Sequence, residues 1–211
     1  TTLLNLIAGF IRPSRGRVLF DDAPVTGPGP DRGVVFQDAN LFPWLTVREN
    51  VAFGLRLNGS KKIGVADMTT NYLSMVGMQR HAANYPHMLS GGMKQRVAIA
   101  RVLALNPRAL LMDEPFSSLD ANSRERLQDE LLRIWQTDRR TLVYVTHSVE
   151  EAAYLADRVI IMGPSPNNII DDIALPLNRP RNRSSAELHD STMLLRSALD
   201  ALPCCIKDAY T

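Results

Sequence analysis

Ala109–Leu110–Leu111–Met112–Asp113–Glu114–Pro115 decides the fold. Four apolar residues run directly into two carboxylates and a proline, so the stretch reads as a short strand, apolar on both faces, with an acid pair at its carboxyl end. Two other stretches repeat the arrangement: Gly33 to Phe36 is followed by Gln37, and Leu142 to Val145 by Thr146 and His147. Strands apolar on both faces belong in a parallel sheet covered by helices, where ligands sit beyond the carboxyl ends. Gln37, Asp113, Glu114 and His147 are therefore expected to line one crevice.

The segments between these strands read as helices. Toward the amino terminus, Leu3, Leu4, Leu6, Ile7 and Ala8 are apolar nearly all round a helix that Gly9 ends, which predicts a helix buried from its first turn. Arg17 to Phe20 reads as a strand turning at Asp21 and Asp22, and Gly27–Pro28–Gly29–Pro30 as an irregular connector. Thr46 with Glu49 forms a capping box ahead of Val51, Ala52 and Phe53, while Ser90 caps a helix running to Leu105 and closed by Asn106 and Pro107. Toward the carboxyl terminus, a helix after Asp120 places Leu127, Leu131, Ile134 and Trp135 on one face. Another follows Ser148, with Glu151 as capping partner. The alternation indicates an α/β fold with a parallel sheet and a helical insertion over residues 38 to 105.

The totals narrow the function. At 211 residues and 45% hydrophobic content the chain can bury one substantial core. Twenty-four basic and 22 acidic side chains leave a net charge of +2, too small to argue for nucleic acid or an anionic membrane surface. Apolar runs such as Val159 to Met162 fall far short of the roughly 20 residues a transmembrane helix needs. Cys204 and Cys205 are adjacent, which is no disulfide framework and fits a reducing compartment. The sequence opens at Thr1 without an initiator methionine or a signal segment and reads as a fragment.

An acid pair at a strand tip reads either as a solvated turn or as the Walker B arrangement, in which the first carboxylate holds Mg²⁺ and the second polarises the attacking water. The buried strand behind Asp113 and Glu114 favours the second. Ser90, Gly91 and Gly92 open a long helix and offer an anion free N–H groups, a hydroxyl and the positive end of the helix dipole. Alone they would be an ordinary capping loop.

Taken together these residues resemble one family. Leu89–Ser90–Gly91–Gly92–Met93, continuing into Lys94–Gln95–Arg96, is similar to the signature of ABC transporter ATP-binding subunits. Gln37 matches that family's Q-loop, Leu110 to Glu114 its Walker B, Ser118 to Asp120 its D-loop and His147 its switch histidine, in the family's order and spacing. Thr1 and Thr2 match the last two positions of the Walker A loop. The resemblance covers Thr1 to about Arg183, and residues 184 to 211 form a tail without a usable motif. It implies a P-loop NTPase fold, a RecA-like parallel sheet core with a helical subdomain at about 38–105, the amino-terminal strands missing. Met93, residues 36 to 55 and the Pro- and Arg-rich stretch 176 to 183 look most like the nitrate, sulfonate, taurine and bicarbonate importers.

The resemblance also implies a mechanism and partners. Thr1, Gln37 and Asp113 surround Mg²⁺; Thr2 joins Thr1 in the ATP site; Glu114 acts on the water; His147 contacts the γ-phosphate. Two subunits face head to tail, so that Ser90, Gly91 and Gly92 of one close over the ATP of the other, with Asp120 linking the sites. Membrane permease subunits, a second ATPase subunit and an extracytoplasmic substrate-binding protein are the implied partners, with no nucleic acid. The implied place is the cytoplasmic face of the membrane. Leu41, Phe42, Pro43 and Trp44 read either as the permease contact or as a satellite core of the insertion. The Walker A glycines and lysine precede Thr1 in the family, so the polypeptide as it stands is expected not to hydrolyse ATP, and the activity is assigned to its full-length parent. Two alternatives share the motifs: an ATPase of DNA repair or chromosome maintenance, against which the compact spacing between Gln37 and Ser90 argues, and a non-catalytic remnant.

Overall fold

Gly9 ends the first helix as the sequence requires. In the computed structural model, which describes residues 1–57, 62–117, 119–137, 139–163 and 169–201, α1 (Thr2–Ala8) closes on Gly9 in the left-handed conformation at φ 81°. A Cβ there would stand 2.3 Å from the Gly27 carbonyl oxygen, so the connector's close approach also demands glycine. Leu4 and Ala8, one turn apart, are the residues α1 buries. Leu3 lies off that stripe and is 45% exposed. The helix is thus half-buried, not buried from its first turn, because it packs on the sheet along a single face. Cys204 and Cys205 lie outside the described residues.

The chain falls into two compact units, Thr1–Val145 and Thr146–Thr211. In the first, β1 (Leu19–Phe20) and β2 (Ala23–Pro24) form a hairpin. Its turn residues Asp21 and Asp22 have φ 50° and 62°, the pair of positive values a type I′ turn needs. After β3 (Arg32–Val35) come α2 (Val47–Leu57), α3 (Lys62–Met75), two single 3₁₀ turns and α4 (Gly91–Leu103). Then follow β4 (Ala109–Asp113), α5 (Ala121–Thr137) and β5 (Thr141–Val145). The three longer strands form a parallel sheet in the order β3-β4-β5, in which Val35 is level with Met112 and Asp113 with Val145.

Only β4 is buried along its whole length; β3 alternates, and β5, at the sheet edge, is half-buried with Thr141 exposed. The expectation of strands covered on both faces therefore holds in full for the central strand alone. The helical insertion has its own core, in which Val51 and Leu55 of α2 meet Leu73 of α3 and Val97 and Ala100 of α4. Another face of α4 joins the sheet core through Ile99, Val102 and Leu103, beside Leu110, Met112 and Phe116. Each such side chain contributes about 1.5–3 kcal/mol on burial. Because α4 belongs to both cores, the position of its amino terminus is fixed from two sides.

The second unit comprises α6 (Val149–Leu155), an antiparallel pair β6 (Arg158–Met162) and β7 (Ile169–Ala174), and α7 (Ala186–Asp200). Ser148 caps α6 by accepting from the Glu151 N–H at 3.2 Å, as predicted. The Glu151 carboxylate, however, accepts from the Thr146 hydroxyl at 2.7 Å, so the capping partnership reaches two residues further back than the sequence pattern implies.

Candidate functional site

Parallel register brings the tips of β3 and β4 level. Val35 pairs with Met112, so Phe36 and exposed Gln37 follow the last paired residue of β3 at the same end of the sheet as Asp113 and Glu114. The tip of β3 is tied down from α4: buried Gln95 donates from Nε2 to the Phe36 carbonyl oxygen at 3.1 Å. That glutamine lies inside the signature-like stretch, yet its polar side chain on an otherwise apolar helix face was the only sign of the contact.

Asp113 is 8% exposed, and its Oδ1 is buried without a hydrogen-bond partner. The backbone nitrogen of Thr1 stands 3.8 Å from that oxygen. A buried carboxylate oxygen without a hydrogen bond costs desolvation, which the amino group of Thr1 at 3.8 Å offsets only in part. Next to the threonine at the start of α1, it is an oxygen ligand suited to a hard divalent cation such as Mg²⁺. Two of the three predicted metal ligands, Thr1 and Asp113, far apart in the first unit's sequence, are thus brought together.

Glu114 leaves the strand at φ 43°, a left-handed conformation unusual for a residue with a side chain. Three contacts hold it there. Its N–H donates to Val145 at the end of β5 at 2.9 Å, and its carbonyl accepts from the Ser117 N–H at 3.2 Å and hydroxyl at 3.0 Å. Such a backbone costs roughly 1–3 kcal/mol and persists only where surroundings over-determine it, which is commonest at functional sites. Nothing local announced it; Pro115 on the carboxyl side argues for extended backbone instead.

Fully buried Phe116 plugs the turn from below. Arg124 in the first turn of α5 donates to the carbonyls of Phe116 and Leu119 at 3.2 and 3.0 Å, a tether the sequence did not single out. Exposed Asp120 accepts from the Ser123 N–H at 3.0 Å and so caps α5. Hydrogen bonds from Ser123 hold its carboxyl below the usual carboxylate range. Ser118, the predicted start of this loop motif, lies outside the described residues.

At the start of α4, Ser90 is extended at φ −66°, ψ 164°, and its hydroxyl accepts from the Met93 N–H. A Cβ added at Gly91 or Gly92 would meet only Leu119, at 3.9 and 3.5 Å, ordinary contact distances. The chain itself therefore does not require these glycines, although glycine weakens a helix by roughly 0.5–1 kcal/mol against alanine. A second contrast points the same way. Among the described residues four helices have a serine or threonine cap that accepts from the first turn, and α2, α6 and α7 also carry an acid there, Glu49, Glu150 with Glu151, and Glu187. In α4 the first turn has none. Its dipole is left uncompensated, with bare backbone N–H groups beside it, as an anion requires.

The Leu41–Trp44 stretch divides. Leu41 packs on the insertion core, Phe42 lies 4.7 Å from Phe53 between ring centroids, and Trp44 is 71% exposed. Two residues the sequence reading missed hold this loop. Buried Asn50 accepts from the Phe42 N–H and donates to the carbonyls of Phe42, Leu45 and Thr46, and Arg101 donates to Ala39 and Asn40 with its guanidinium over the Phe42 ring. His147 belongs to the second unit. It is exposed, two residues beyond Val145 in the chain and immediately before the Ser148 cap of α6.

Comparison with known proteins gives this geometry a family. The family model described as ABC transporter matches residues 1–117. An uncharacterized ABC transporter ATP-binding protein, MJ0412, of Methanocaldococcus jannaschii is 51% identical over 187 residues, 89% of this chain and 70% of that protein. The nitrate import ATP-binding protein NrtD of Synechocystis is 47% identical, over 87% of this chain and 71% of that protein. The taurine import ATP-binding protein TauB of Pseudomonas entomophila is also 47% identical, over 83% and 68%. Among solved structures, the dimeric post-hydrolysis state of the ATP-binding cassette MJ0796 bound to ADP and Pi superposes with a TM-score of 0.71 at 30% identity, covering 84% of this chain and 81% of that one. The cbiO1 protein of Clostridium perfringens, part of the transporter complex cbiONQ, gives 0.74 at 26% identity, over 96% and 79%. The fold is that of a P-loop NTPase, and the chain belongs to the ABC transporter ATP-binding family of ATPases.

Proposed function

We propose that this chain is the nucleotide-handling part of an ABC importer subunit, coupling ATP hydrolysis to uptake of a small anion such as nitrate, a sulfonate, taurine or bicarbonate through a separate permease. The observation that carries the ATPase reading is the tip of β4, where a buried carboxylate oxygen without a hydrogen bond faces Thr1 and is followed by a strained glutamate. Thr1, Gln37 and Asp113 would hold Mg²⁺, and Thr2 would join Thr1 at the phosphates. Mg²⁺, when bound, neutralises charge on the β- and γ-phosphate oxygens. Glu114, aimed by its left-handed backbone, orients the attacking water, and His147 contacts the γ-phosphate. Ser90, Gly91 and Gly92 of a second copy present their N–H groups to the same nucleotide, and Asp120 lies at the junction of the copies. Phosphoryl transfer needs positioning and charge compensation more than covalent help, which suits this inventory.

The solute class follows from the nitrate and taurine import relatives. Exposed Trp44, on a loop braced by Asn50 and Arg101, suits the permease contact. Among the described residues no helix is long and apolar enough to cross a membrane. The separate permease and the peripheral place on the cytoplasmic face follow from likeness to the import ATP-binding proteins. An extracytoplasmic binding protein completes the importer. The test is uptake of labelled nitrate, taurine, alkanesulfonate and bicarbonate by cells carrying the full-length subunit or its Glu114→Gln variant. Loss of uptake of one of these with the variant is expected. Equal uptake of all four in both strains would refute the importer reading.

A further inference from the structure

The Pro- and Arg-rich stretch 176–183 has no part in the chemistry above, yet it makes the densest set of charged contacts in the second unit. Arg181, whose side chain is 2% exposed, donates from Nη1 to the carbonyl oxygens of Ala153 at 2.8 Å, Tyr154 at 3.0 Å and Ala156 at 2.7 Å. Arg179 donates from Nη2 to Leu155 at 2.5 Å. These are the four consecutive carbonyls that end α6. A helix leaves its last carbonyls without internal partners, and here two guanidiniums take all four. Asp157 accepts from both arginines, at 2.8 and 3.3 Å, and Arg183 lies over the Tyr154 ring at 3.6 Å.

The other end of α6 carries His147. Ser148 caps the helix, its N–H donates to the Thr146 hydroxyl at 3.0 Å, and that hydroxyl donates to buried Glu151 in the first turn at 2.7 Å. Both neighbours of His147 are therefore bonded into α6, and the turn moves with the helix as one body. Seven residues span about 10 Å, so a tilt of roughly 6° at the clamped end shifts the histidine end by about 1 Å. Misplacement on that scale can cost about 10²-fold in rate. Water, glycine or asparagine satisfies helix ends at less desolvation than a buried arginine does, and buried charge is better attested as a device for fixing one geometry than for adding stability.

We infer that Arg181, seconded by Arg179, is a positioning residue for His147, acting through the rigid length of α6. The inference rests on the role proposed above for His147. It is tested in the full-length subunit by a double-mutant cycle of Arg181→Met and His147→Ala, with Arg181→Lys alongside, reading kcat, KM for ATP and melting temperature. The expected result is a fall in kcat of roughly tenfold or more for Arg181→Met with KM within twofold. Arg181→Lys should fall between it and the parent, and Arg181→Met should bring no further loss in the His147→Ala background. The same factor lost in both backgrounds, or an unchanged kcat with only a lower melting temperature, overturns the inference while leaving the reading of His147 intact. If His147→Ala itself leaves kcat unchanged, that reading fails and the inference with it. Should Arg181→Met not fold, Arg181→Lys in the same cycle decides by the same criteria.

Discussion

The tip of β4 and the start of α4 are the two halves of the chemistry, and the chain builds them in opposite ways. The tip of β4 is enclosed and over-determined: four buried residues lead to a buried carboxylate and to a glutamate held at φ 43° by bonds to Val145 and Ser117. The start of α4 is exposed and under-determined, with two glycines that no neighbour requires and a first turn without an acid. Strain maintained by the chain marks a half that works from within. Openness the chain does not need marks a half completed from outside, by a triphosphate and the copy that holds it.

The largest effect separates chemistry from strain on β4. Glu114→Gln should cost roughly 10²–10⁴-fold in turnover, the range for loss of a general base, with little change in melting temperature. Glu114→Ala and Glu114→Gly should lose as much turnover but differ from each other in stability. Glycine accepts a positive φ without strain and alanine does not, so the glycine variant should unfold later, by about 1 kcal/mol in denaturant titration. Equal stabilities would mean that the left-handed backbone at this position is not strained.

Asp113→Asn comes next. A buried carboxylate oxygen without a hydrogen bond is a liability until a metal ion arrives, so the substitution should leave the metal-free subunit as stable as its parent or more so. The rise in melting temperature brought by Mg²⁺ with ATP should shrink to that brought by ATP alone. A full magnesium-dependent rise in the variant would remove Asp113 from the metal site.

For the α4 half the sign of the stability effect is the diagnostic. Gly92→Ala fits the available space, so it should raise stability by about 0.5–1 kcal/mol while lowering turnover roughly 10- to 100-fold, because the methyl group would occupy the approach to the N–H groups. A variant both more stable and fully active would mean that nothing docks on this helix end.

Much of this contrast was legible in the sequence, and the gaps have physical causes. The apolar run into Asp113–Glu114–Pro115 favoured a buried strand with an acidic tip over a solvated turn, and Ser90–Gly91–Gly92, alone an ordinary capping loop, read as an open helix start once the other motifs stood beside it. What could not be read were features set by distant partners. The φ of Glu114 depends on Val145 and Ser117, the brace on the Phe42 loop on Asn50 and Arg101, and the clasp on α6 on arginines about 25 positions downstream. The nearness of Thr1 to Asp113 came from resemblance to a family, because two residues so far apart in the sequence carry no local signal of contact.

The smallest effect contrasts the start of α4 with that of α2, where the capping box is complete. The Thr46 N–H and hydroxyl both donate to Glu49 at 2.8 Å, and these bonds hold the Glu49 carboxyl below its ordinary value. A carboxylate with a lowered folded pKa contributes stability that is present above its unfolded pKa and lost as pH falls through the folded one. Glu49→Gln should therefore change little at neutral pH, since glutamine also completes a capping box, and should flatten the loss of stability below the usual glutamate range. Met93 holds the equivalent position in α4. Met93→Glu should add a similar acid-side slope and about 0.3–1 kcal/mol at neutral pH, while its charge, placed where phosphates approach, lowers turnover severalfold. High salt should return part of that turnover by screening the repulsion. A Met93→Glu protein that kept parental turnover at low salt would show that no anion meets the amino terminus of α4.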